Sequence, residues 1–405
     1  MKAYERLINY AKIWTVSDEA NCDTVPSTQI QFDLAHYLED EMNAMGLEGV
    51  RVDKHCYVYG YVPATAGYED KPTVGFIAHL DTAPDFNGKG VNPQIIENYD
   101  GGDIAIGAGR VLEVAKFPHL KELAGHTLIT TDGTSLLGAD DKAGVAEIMT
   151  LAEILMTGNI PHGRIAICFA PDEEIGHGAS LLDIEAYGAD FAYTLDGGMA
   201  YELECENFNA CAAHFDITGF NIHPGDAKDK MINAGLVAME INASLPAEEI
   251  PARTCGYQGF YHLTDMAGEV SHATLDYIVR DFDPDNFERR QARLREIESQ
   301  VNEKYGDGTC ELTIRQQYRN MVELVSKRPE VVKYAKDAIA AAGFTPVLVP
   351  IRGGTDGAQL TYRGLVCPNL GVGGYAFHGP YEHISAQNMD DVVSVVLGIV
   401  RLVAQ

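Results

Sequence analysis

Basic residues, long apolar runs and paired cysteines are all scarce in this chain. Only 30 residues are Lys or Arg, against 59 Asp and Glu, which gives a formal net charge of −29. A surface that acidic repels nucleic acid and anionic membranes, so we expect neither as a partner. No stretch approaches the roughly 18 uninterrupted apolar residues that a membrane span requires. The excess of carboxylates favours a site that holds cations.

The eight cysteines are scattered and include no CxxC pair. In a chain this long they are predicted to be reduced, mostly buried thiols rather than a disulfide framework or a zinc knuckle. The first residues, MKAYERLINYAKIW, are amphipathic and charged, without the apolar core and cleavage site of a signal peptide. Both observations favour a cytoplasmic location.

Two patterns follow each other along the chain, which at 405 residues exceeds what one hydrophobic core usually supports. Between about residues 30 and 200, short apolar runs alternate with helical periodicity, which is typical of a parallel α/β sheet. The predicted elements of this part are strands at Thr73–Ala78, Arg164–Ala170 and Phe191–Leu195 and a helix from Lys142 onward. No internal repeat or low-complexity linker interrupts the pattern.

From about Asn209 to Tyr318 the order changes to β-α-β-β-α-β, the ferredoxin-like split unit. The predicted elements are a strand in ACAAHFDITGF, a helix at Asp229–Ala243, strands at Gly259–Gly268 and His272–Phe282, a helix at Asp285–Tyr305 and a strand in CELTIRQQY. A helix at Pro329–Ala342, a strand at Thr345–Pro350, a glycine-rich loop and a helix from Met389 follow. We therefore predict an α/β catalytic domain, residues 1–208 and 318–405, interrupted by an inserted α+β lid domain, residues 209–317.

Acidic residues and histidines cluster just after the predicted strands. The positions are His79, Asp81, Asp140, Asp141, Asp172, Glu173, Glu174, Asp196 and His378. Ligands of open α/β sheets bind beyond the carboxyl ends of the strands, so these segments should meet at one place. Zinc accepts imidazole nitrogen and carboxylate oxygen, and two ions about 3.5–4 Å apart need a shared carboxylate. The residue types therefore predict a two-metal site.

Eight motifs carry a resemblance to a known family. In chain order they are GFIAHLDTAPD, TLITTDGTSLLGADDKAGVAEIM, CFAPDEEIGHGA, YTLDGG, NIHPGDAK, IVRDFD, IRGGTDGAQL and GGYAFHG. Together they resemble the M20 metallopeptidases, and most closely their tripeptide-aminopeptidase branch. The resemblance implies a zinc-peptidase domain with a mixed, mostly parallel sheet, a lid that often mediates homodimer formation, and two Zn²⁺ ions, with Co²⁺ or Mn²⁺ as substitutes. It also implies release of the N-terminal residue from short peptides, chiefly tripeptides.

The resemblance also implies a role for each matched position. His79 and His378 would each bind one zinc, Asp140 would bridge both ions, and Glu174 and Asp196 would complete the two coordination shells. Asp141 is an alternative bridge, which the D-x-K spacing disfavours.

Two further carboxylates match catalytic positions of the family. Glu173 would be the general base that activates water, and Asp81 would hold a ligand imidazole in the right tautomer. His177, Glu382 and His383 lie nearby in sequence, with surface or packing roles as the simpler interpretation.

The lid motifs bear on substrate binding. His223 resembles the family's lid histidine, which stabilises the oxyanion. Arg280 and Arg352 are candidates to clamp a peptide carboxylate, the alternatives being a lid-strand salt bridge for Arg280 and loop support for Arg352. A clamp at a fixed distance from the metals would select short peptides. Close backbone approach to the substrate is predicted at Gly353, Gly354 and Gly357.

Two other functions stay open at this point. Other M20 hydrolases are dipeptidases, carboxypeptidases or N-acyl amino acid deacylases, and an inactive binding protein could keep the fold. The segments Ser17–Thr24 and Phe117–Lys121 match no pattern.

Overall fold

The computed structural model describes residues 1–405 and divides into two compact units. The first unit comprises Met1–Cys205, Val322–Val349 and Thr355–Gln405. The second comprises Glu206–Met321 and the short excursion Pro350–Gly354. The boundaries predicted from the sequence lie at residues 208 and 318 and do not include the excursion Pro350–Gly354.

The elements alternate along the whole chain. The strands are β1 (Glu48–Val52), β2 (Val58–Val62), β3 (Val74–His79), β4 (Gln94–Ile96), β5 (Ile104–Gly107), β6 (Arg110–Leu112), β7 (Leu128–Thr130), β8 (Ile165–Ala170), β9 (Phe191–Gly197), β10 (Glu202–Glu204), β11 (Asn209–Thr218), β12 (Phe260–Gly268), β13 (His272–Asp281), β14 (Cys310–Tyr318), β15 (Val347–Leu348), β16 (Asn369–Gly371), β17 (Gly374–Tyr375) and β18 (His383–Ser385). The α-helices are α1 (Ala3–Ala11), α2 (Gln31–Met45), α3 (Ala139–Thr157), α4 (Ile184–Tyr187), α5 (Ala234–Ala243), α6 (Pro284–Tyr305), α7 (Val322–Val325), α8 (Pro329–Ala341), α9 (Asp356–Tyr362) and α10 (Ala386–Val403). No helix combines the length and the apolar character needed to cross a bilayer.

An eight-stranded mixed sheet forms the centre of the first unit, in the order β1-β2-β8-β3-β9-β16-β10-β15. The pairs β8/β3, β3/β9, β9/β16 and β10/β15 are parallel, and the other three are antiparallel. Every residue of β3 and β8 is buried, as expected for parallel strands covered on both faces. Their continuous apolar runs made them predictable from the sequence.

The long helix α3 lies against the centre of this sheet. It packs on β3 and β9 and on helices α1 and α10, so all its residues from Ala143 to Ala152 are buried. Gly144 is required here, because a Cβ at this position would lie 2.4 Å from the carbonyl oxygen of Leu195 in β9. This close contact fixes the start of α3 beside the carboxyl end of β9.

A smaller sheet, in the order β17-β18-β7-β4, carries a hairpin of β17 and β18. The loop of this hairpin contains His378, and β18 pairs with β7. The helix that follows, α10, begins at Ala386 rather than at the predicted Met389. Ser385 caps it, since its Oγ accepts a hydrogen bond from the N–H of Asn388 (3.0 Å).

The second unit has the predicted ferredoxin-like order. Its antiparallel sheet runs β12-β13-β11-β14, and α5 and α6 cover one face. The core between them contains Phe215 and Leu275 from the sheet and Leu294 from α6. Helix α5 begins at Ala234, later than the predicted Asp229, because the side chain of Asn233 caps it at the N–H of Leu236 (3.2 Å).

Candidate metal centre

The predicted metal ligands come from strand ends and loops of the first unit. His79 is the last residue of β3, Glu173 and Glu174 begin a 3₁₀ turn after β8, and Asp196 lies near the end of β9. Asp140 stands at the start of α3, and His378 in the β17–β18 loop.

Asp140 lies between the two histidines. Its Oδ1 is 3.0 Å from Nε2 of His79, and its Oδ2 is 3.0 Å from Nε2 of His378. Each oxygen of one carboxylate therefore faces a different imidazole, which is the arrangement of a bridging ligand.

The other predicted ligands surround this trio. Donor atoms of His79, Asp140 and Glu174 lie within 4.8 Å of one another, and so do those of His79, Glu173 and Asp196. Glu174 Oε2 is 3.1 Å from His378 Nε2, and Asp196 Oδ1 is 3.7 Å from His79 Nε2. The structure thus brings all five predicted ligands together with the predicted base.

The electrostatics of the cluster fit a divalent cation. Oε1 of Glu174 is buried and has no hydrogen-bond partner. Burial, reinforced by neighbouring carboxylates, raises the pKa of Asp196 to about 7 and raises that of Glu173 well above its usual range. Buried carboxylates that cannot all carry their charge in this way are stabilised by a bound metal ion, so the residues present fit one.

The pKa values of the two histidines are raised as well, because the surrounding carboxylates favour their protonated forms. Hydrogen bonds to Asp140 and Glu174 raise the pKa of His378 to about 11. Burial opposes protonation of His79, but hydrogen bonds to Asp140, Asp196 and Asp81 outweigh it and raise its pKa. Burial likewise opposes ionisation of Asp140, and its bonds to both histidines outweigh that effect and lower its pKa. Positive charge is therefore favoured on both sides of Asp140.

Asp81 is fully buried beneath the cluster. One carboxylate oxygen lies 3.3 Å from Nδ1 of His79 and accepts the N–H of Glu173 (3.0 Å). The other accepts the N–H of Glu174 (3.2 Å). Asp81 is thus placed to orient the imidazole and also holds the turn that carries both glutamates, a second contact that the sequence did not suggest.

Asp141 points away from the ligands. Its carboxylate accepts the backbone N–H of His79 (3.0 Å) and of Gly144 (3.2 Å). It therefore supports the end of β3 and the start of α3, and Asp140 alone lies between the histidines.

Glu382 is the residue near the site that sequence reasoning undervalued. It is buried, and its Oε2 accepts the N–H groups of Leu137 (2.7 Å) and Gly138 (2.8 Å) while Oε1 accepts that of Asp140 (3.0 Å). Its position on the His378 loop was the only available signal. His383 instead pairs with His119 (Nε2 to Nε2, 2.9 Å), and His177 donates its backbone N–H to the carbonyl of Asp172 (2.9 Å).

The predicted substrate-binding residues lie in the second unit. His223 is exposed, and its Nδ1 accepts the N–H of Gly225 (3.1 Å). Arg280 is buried near the end of β13, donates to the carbonyls of Cys211 (3.2 Å) and Val279 (3.0 Å), and lies over the ring of Tyr318. No carboxylate lies within salt-bridge distance of Arg280, so the alternative of a lid-strand salt bridge is not observed.

Arg352 has the contacts of a loop support. Its Nη1 donates to the carbonyls of Gly256 (2.6 Å) and Gln258 (2.8 Å), and its Nη2 to Oγ1 of Thr254 (2.9 Å). The guanidinium fork is therefore occupied by the loop before β12, which matches the alternative considered for this residue.

The glycines near Arg352 differ from one another. A Cβ at Gly354 would lie 3.0 Å from the ring of Tyr318, and one at Gly357 would lie 2.4 Å from the carbonyl oxygen of Cys367. Gly353 has open space around it. Packing within the protein therefore explains Gly357 without any substrate.

Comparisons with known proteins agree on one family. The model of Peptidase family M20/M25/M40 matches residues 132–402. A protein of Clostridium perfringens (strain 13 / Type A) named Peptidase T is 50% identical over 405 residues, covering 100% of this chain and 99% of that protein. A Peptidase T of Bacillus licheniformis is 49% identical over 404 residues, covering 99% of this chain and 98% of that protein.

Solved structures share the fold. Aminopeptidase PepT from Bacillus cereus has a TM-score of 0.78 at 22% identity, covering 100% of this chain and 98% of that chain. A dinuclear metal binding peptidase of the M20 family from Bacillus subtilis has a TM-score of 0.65 at 12% identity, covering 99% and 97%. The predicted fold class and the predicted family are thereby confirmed. With a family model over most of its length and relatives of about half identity over all of it, the chain belongs to peptidase family M20/M25/M40 and is a metallo-aminopeptidase.

Proposed function

We propose that the protein is a two-metal aminopeptidase that releases the N-terminal residue from short peptides, chiefly tripeptides. The placement of Asp140 between His79 and His378, 3.0 Å from each, is the observation that carries the proposal. The Peptidase T relatives, at about half identity over the full chain, support the choice of substrate.

The ligand set supports zinc as the metal. His79 and Asp196 would hold one ion, His378 and Glu174 the other, and Asp140 both. Two imidazoles with three carboxylates suit Zn²⁺, and Co²⁺ or Mn²⁺ fit the same donors. A metal pair bound there lowers the pKa of a water molecule and polarises the scissile carbonyl.

Glu173 is the proposed general base. It lies beside His79 and Asp196, and Asp81 fixes its backbone through the 3.0 Å hydrogen bond. Its raised pKa, caused first by burial, suits a group that takes a proton from the attacking water and then delivers it to the leaving amine.

For substrate binding we propose that Arg280 holds the C-terminal carboxylate of the peptide and that His223 stabilises the oxyanion. Arg280 is a buried guanidinium without an ionic partner inside its own unit, whereas Arg352 is already occupied. A cation of this kind is a ready partner for a carboxylate.

A homodimer through the second unit is a further proposal. Strand β12 is an edge strand with mostly exposed residues, and Leu236 and Met239 of the adjoining helix α5 are about 60% exposed. An open strand edge beside an apolar helix face pairs readily with a second copy. Light scattering of the purified protein tests this, and a monomer at micromolar concentration would exclude it. The cytoplasmic location likewise stays a prediction.

The function is tested with metal-stripped protein reconstituted with zinc and assayed on a tripeptide and its N-acetylated twin. Zinc-dependent release of the N-terminal residue from the free peptide alone supports the aminopeptidase. Cleavage of the blocked peptide instead indicates a deacylase or carboxypeptidase. Activity on neither, with zinc bound, indicates an inactive binding protein.

A further inference from the structure

The Glu382 carboxylate connects the two chain segments that flank the metal centre. It is 1% exposed and lies on the same hairpin loop as His378. Its three acceptor contacts, at 2.7, 2.8 and 3.0 Å, all go to backbone N–H groups around the start of α3. One of these groups belongs to Asp140 itself.

The start of α3 needs such a partner. Its N-cap is Gly138, in the left-handed conformation with φ of 75°, and glycine offers no side-chain acceptor. The first N–H groups of a helix have no partner inside the helix, and buried ones must be satisfied from elsewhere. A carboxylate at a helix N-terminus forms charge-assisted hydrogen bonds, which are stronger than neutral ones.

The same contacts set the position of Asp140. The backbone of Asp140 is not helical, with φ of −84° and ψ of 102°, so the helix ladder does not fix its side chain. Glu382 holds the N–H of Asp140 at 3.0 Å, while His378, on the loop of Glu382, lies 3.0 Å from the Asp140 carboxylate. The same loop thus supplies the proposed metal ligand His378 and, through Glu382, a hydrogen bond to the backbone of the proposed shared ligand Asp140.

We propose that Glu382 is a positioning residue that fixes Asp140 between the two histidines and thereby sets the affinity for the metal pair. This rests on the proposed function only in requiring metal at the described cluster. Groups next to metal ligands typically change metal affinity or activity about 10–100-fold when replaced.

The test compares Glu382→Gln with a matched control, Glu147→Gln. Gln keeps the size of Glu but turns one acceptor into an N–H₂ donor, which cannot satisfy all three backbone N–H groups. Glu147 is equally buried on α3, and neither carboxylate oxygen has a hydrogen-bond partner. Zinc affinity is measured by competition with a chelator, together with kcat and KM for a tripeptide and the melting temperature of each variant with and without zinc.

We expect Glu382→Gln to bind zinc about 10–100-fold more weakly and to lose kcat, with KM changed by less than about threefold. Glu147→Gln should bind zinc as the wild type does. A Glu382→Gln variant with wild-type zinc affinity overturns the proposal. This holds even if its melting temperature falls equally with and without zinc, because Glu382 would then be only a helix cap. If the wild type binds zinc but cleaves no tripeptide, the proposed function fails, while the zinc affinities still decide the role of Glu382.

Discussion

Glu173 and Glu174 are neighbours in one short turn, yet their side chains serve different partners. Glu174 contacts His378, whereas Glu173 lies with His79 and Asp196. An irregular turn after a strand allows this, because adjacent side chains there are not held to one face. Asp81 binds both backbone N–H groups and so fixes the pair as a unit.

Replacing Glu173 with Gln should remove the proposed base and leave binding of the proposed metal ions unchanged. We expect kcat for a tripeptide to fall about 10²–10⁴-fold, with KM within about threefold. Zinc content should stay at the wild-type value. The exposed Glu185→Gln, on α4, is the control and should keep wild-type kcat. A Glu173→Gln enzyme with wild-type kcat would refute the assignment.

Replacing each of the two arginines predicted from sequence as carboxylate clamps should have a different effect, one on KM and the other on stability. Arg280→Ala should raise KM roughly tenfold or more for tripeptides with a free carboxylate, the loss expected for a hydrogen bond to a charged group, and leave KM for the C-terminal amides unchanged. Arg352→Ala should instead lower the melting temperature, because it removes three contacts to the 254–258 loop. Equal KM changes for acids and amides in Arg280→Ala would argue against the clamp.

At the scale of elements, the strands with long apolar runs could be predicted from the sequence, and the short strands could not. Strands β3 and β8 are buried throughout and β9 at all positions but Asp196, and all three were predicted within about two residues. Strands β17 and β18 are only two and three residues long and carry no readable period. The predicted strand Thr345–Pro350 shrinks to β15, which has only two residues paired with β10. The strand-end histidines and carboxylates could be predicted because the sheet itself gathers them. Glu382 could not, since its role depends on contacts with residues 242 or more positions away.

The Phe117–Lys121 segment, which matched no sequence pattern, supports the His378 hairpin. It forms part of a 3₁₀ helix, Pro118–Leu123, and its His119 ring stacks on Tyr375 of β17 with centroids 3.9 Å apart. The Nδ1–H of His383 donates to the carbonyl of Tyr381 (2.7 Å), so Nε2 of His383 accepts from Nε2–H of His119 (2.9 Å). This pairing requires neutral His383.

Because this pairing requires neutral His383, lowering the pH should destabilise the folded protein. Burial lowers the pKa of His383 to about 4, below the value of about 6.5 in an unfolded chain. The unfolded state thus binds a proton first, and the stabilisation present above pH 6.5 is lost as the pH falls toward 4. We expect about 2 kcal/mol less unfolding free energy at pH 5 than at pH 7 from this residue alone. Urea unfolding of metal-free wild type and His383→Phe measures it, and parallel pH curves would contradict the assignment.

At the scale of the whole molecule, acidic residues outnumber basic ones, with a net charge of −29. Most of it is solvated and weakly interacting, but the carboxylates of Asp140, Glu173, Glu174 and Asp196 lie together near the buried His79. Folding the first unit brings these charges together from three separate segments. A bound cation pair is therefore coupled to folding, because the unfolded chain has no such cluster.

Removing the metals should consequently lower the stability of the protein as a whole. Zinc at about 100 times its dissociation constant, bound at one site, raises the unfolding free energy of the protein by about 2.7 kcal/mol, and a second site adds to this. We expect a chelator to lower the melting temperature by several degrees and added zinc to restore it. Calorimetry measures both changes. Asp196→Asn should shrink the zinc-dependent shift while raising the melting temperature of the metal-free protein, since it removes one of the repelling carboxylates. Equal melting temperatures with and without zinc in the wild type would show that the cluster folds without cations, and the case for a metal centre would fail with it.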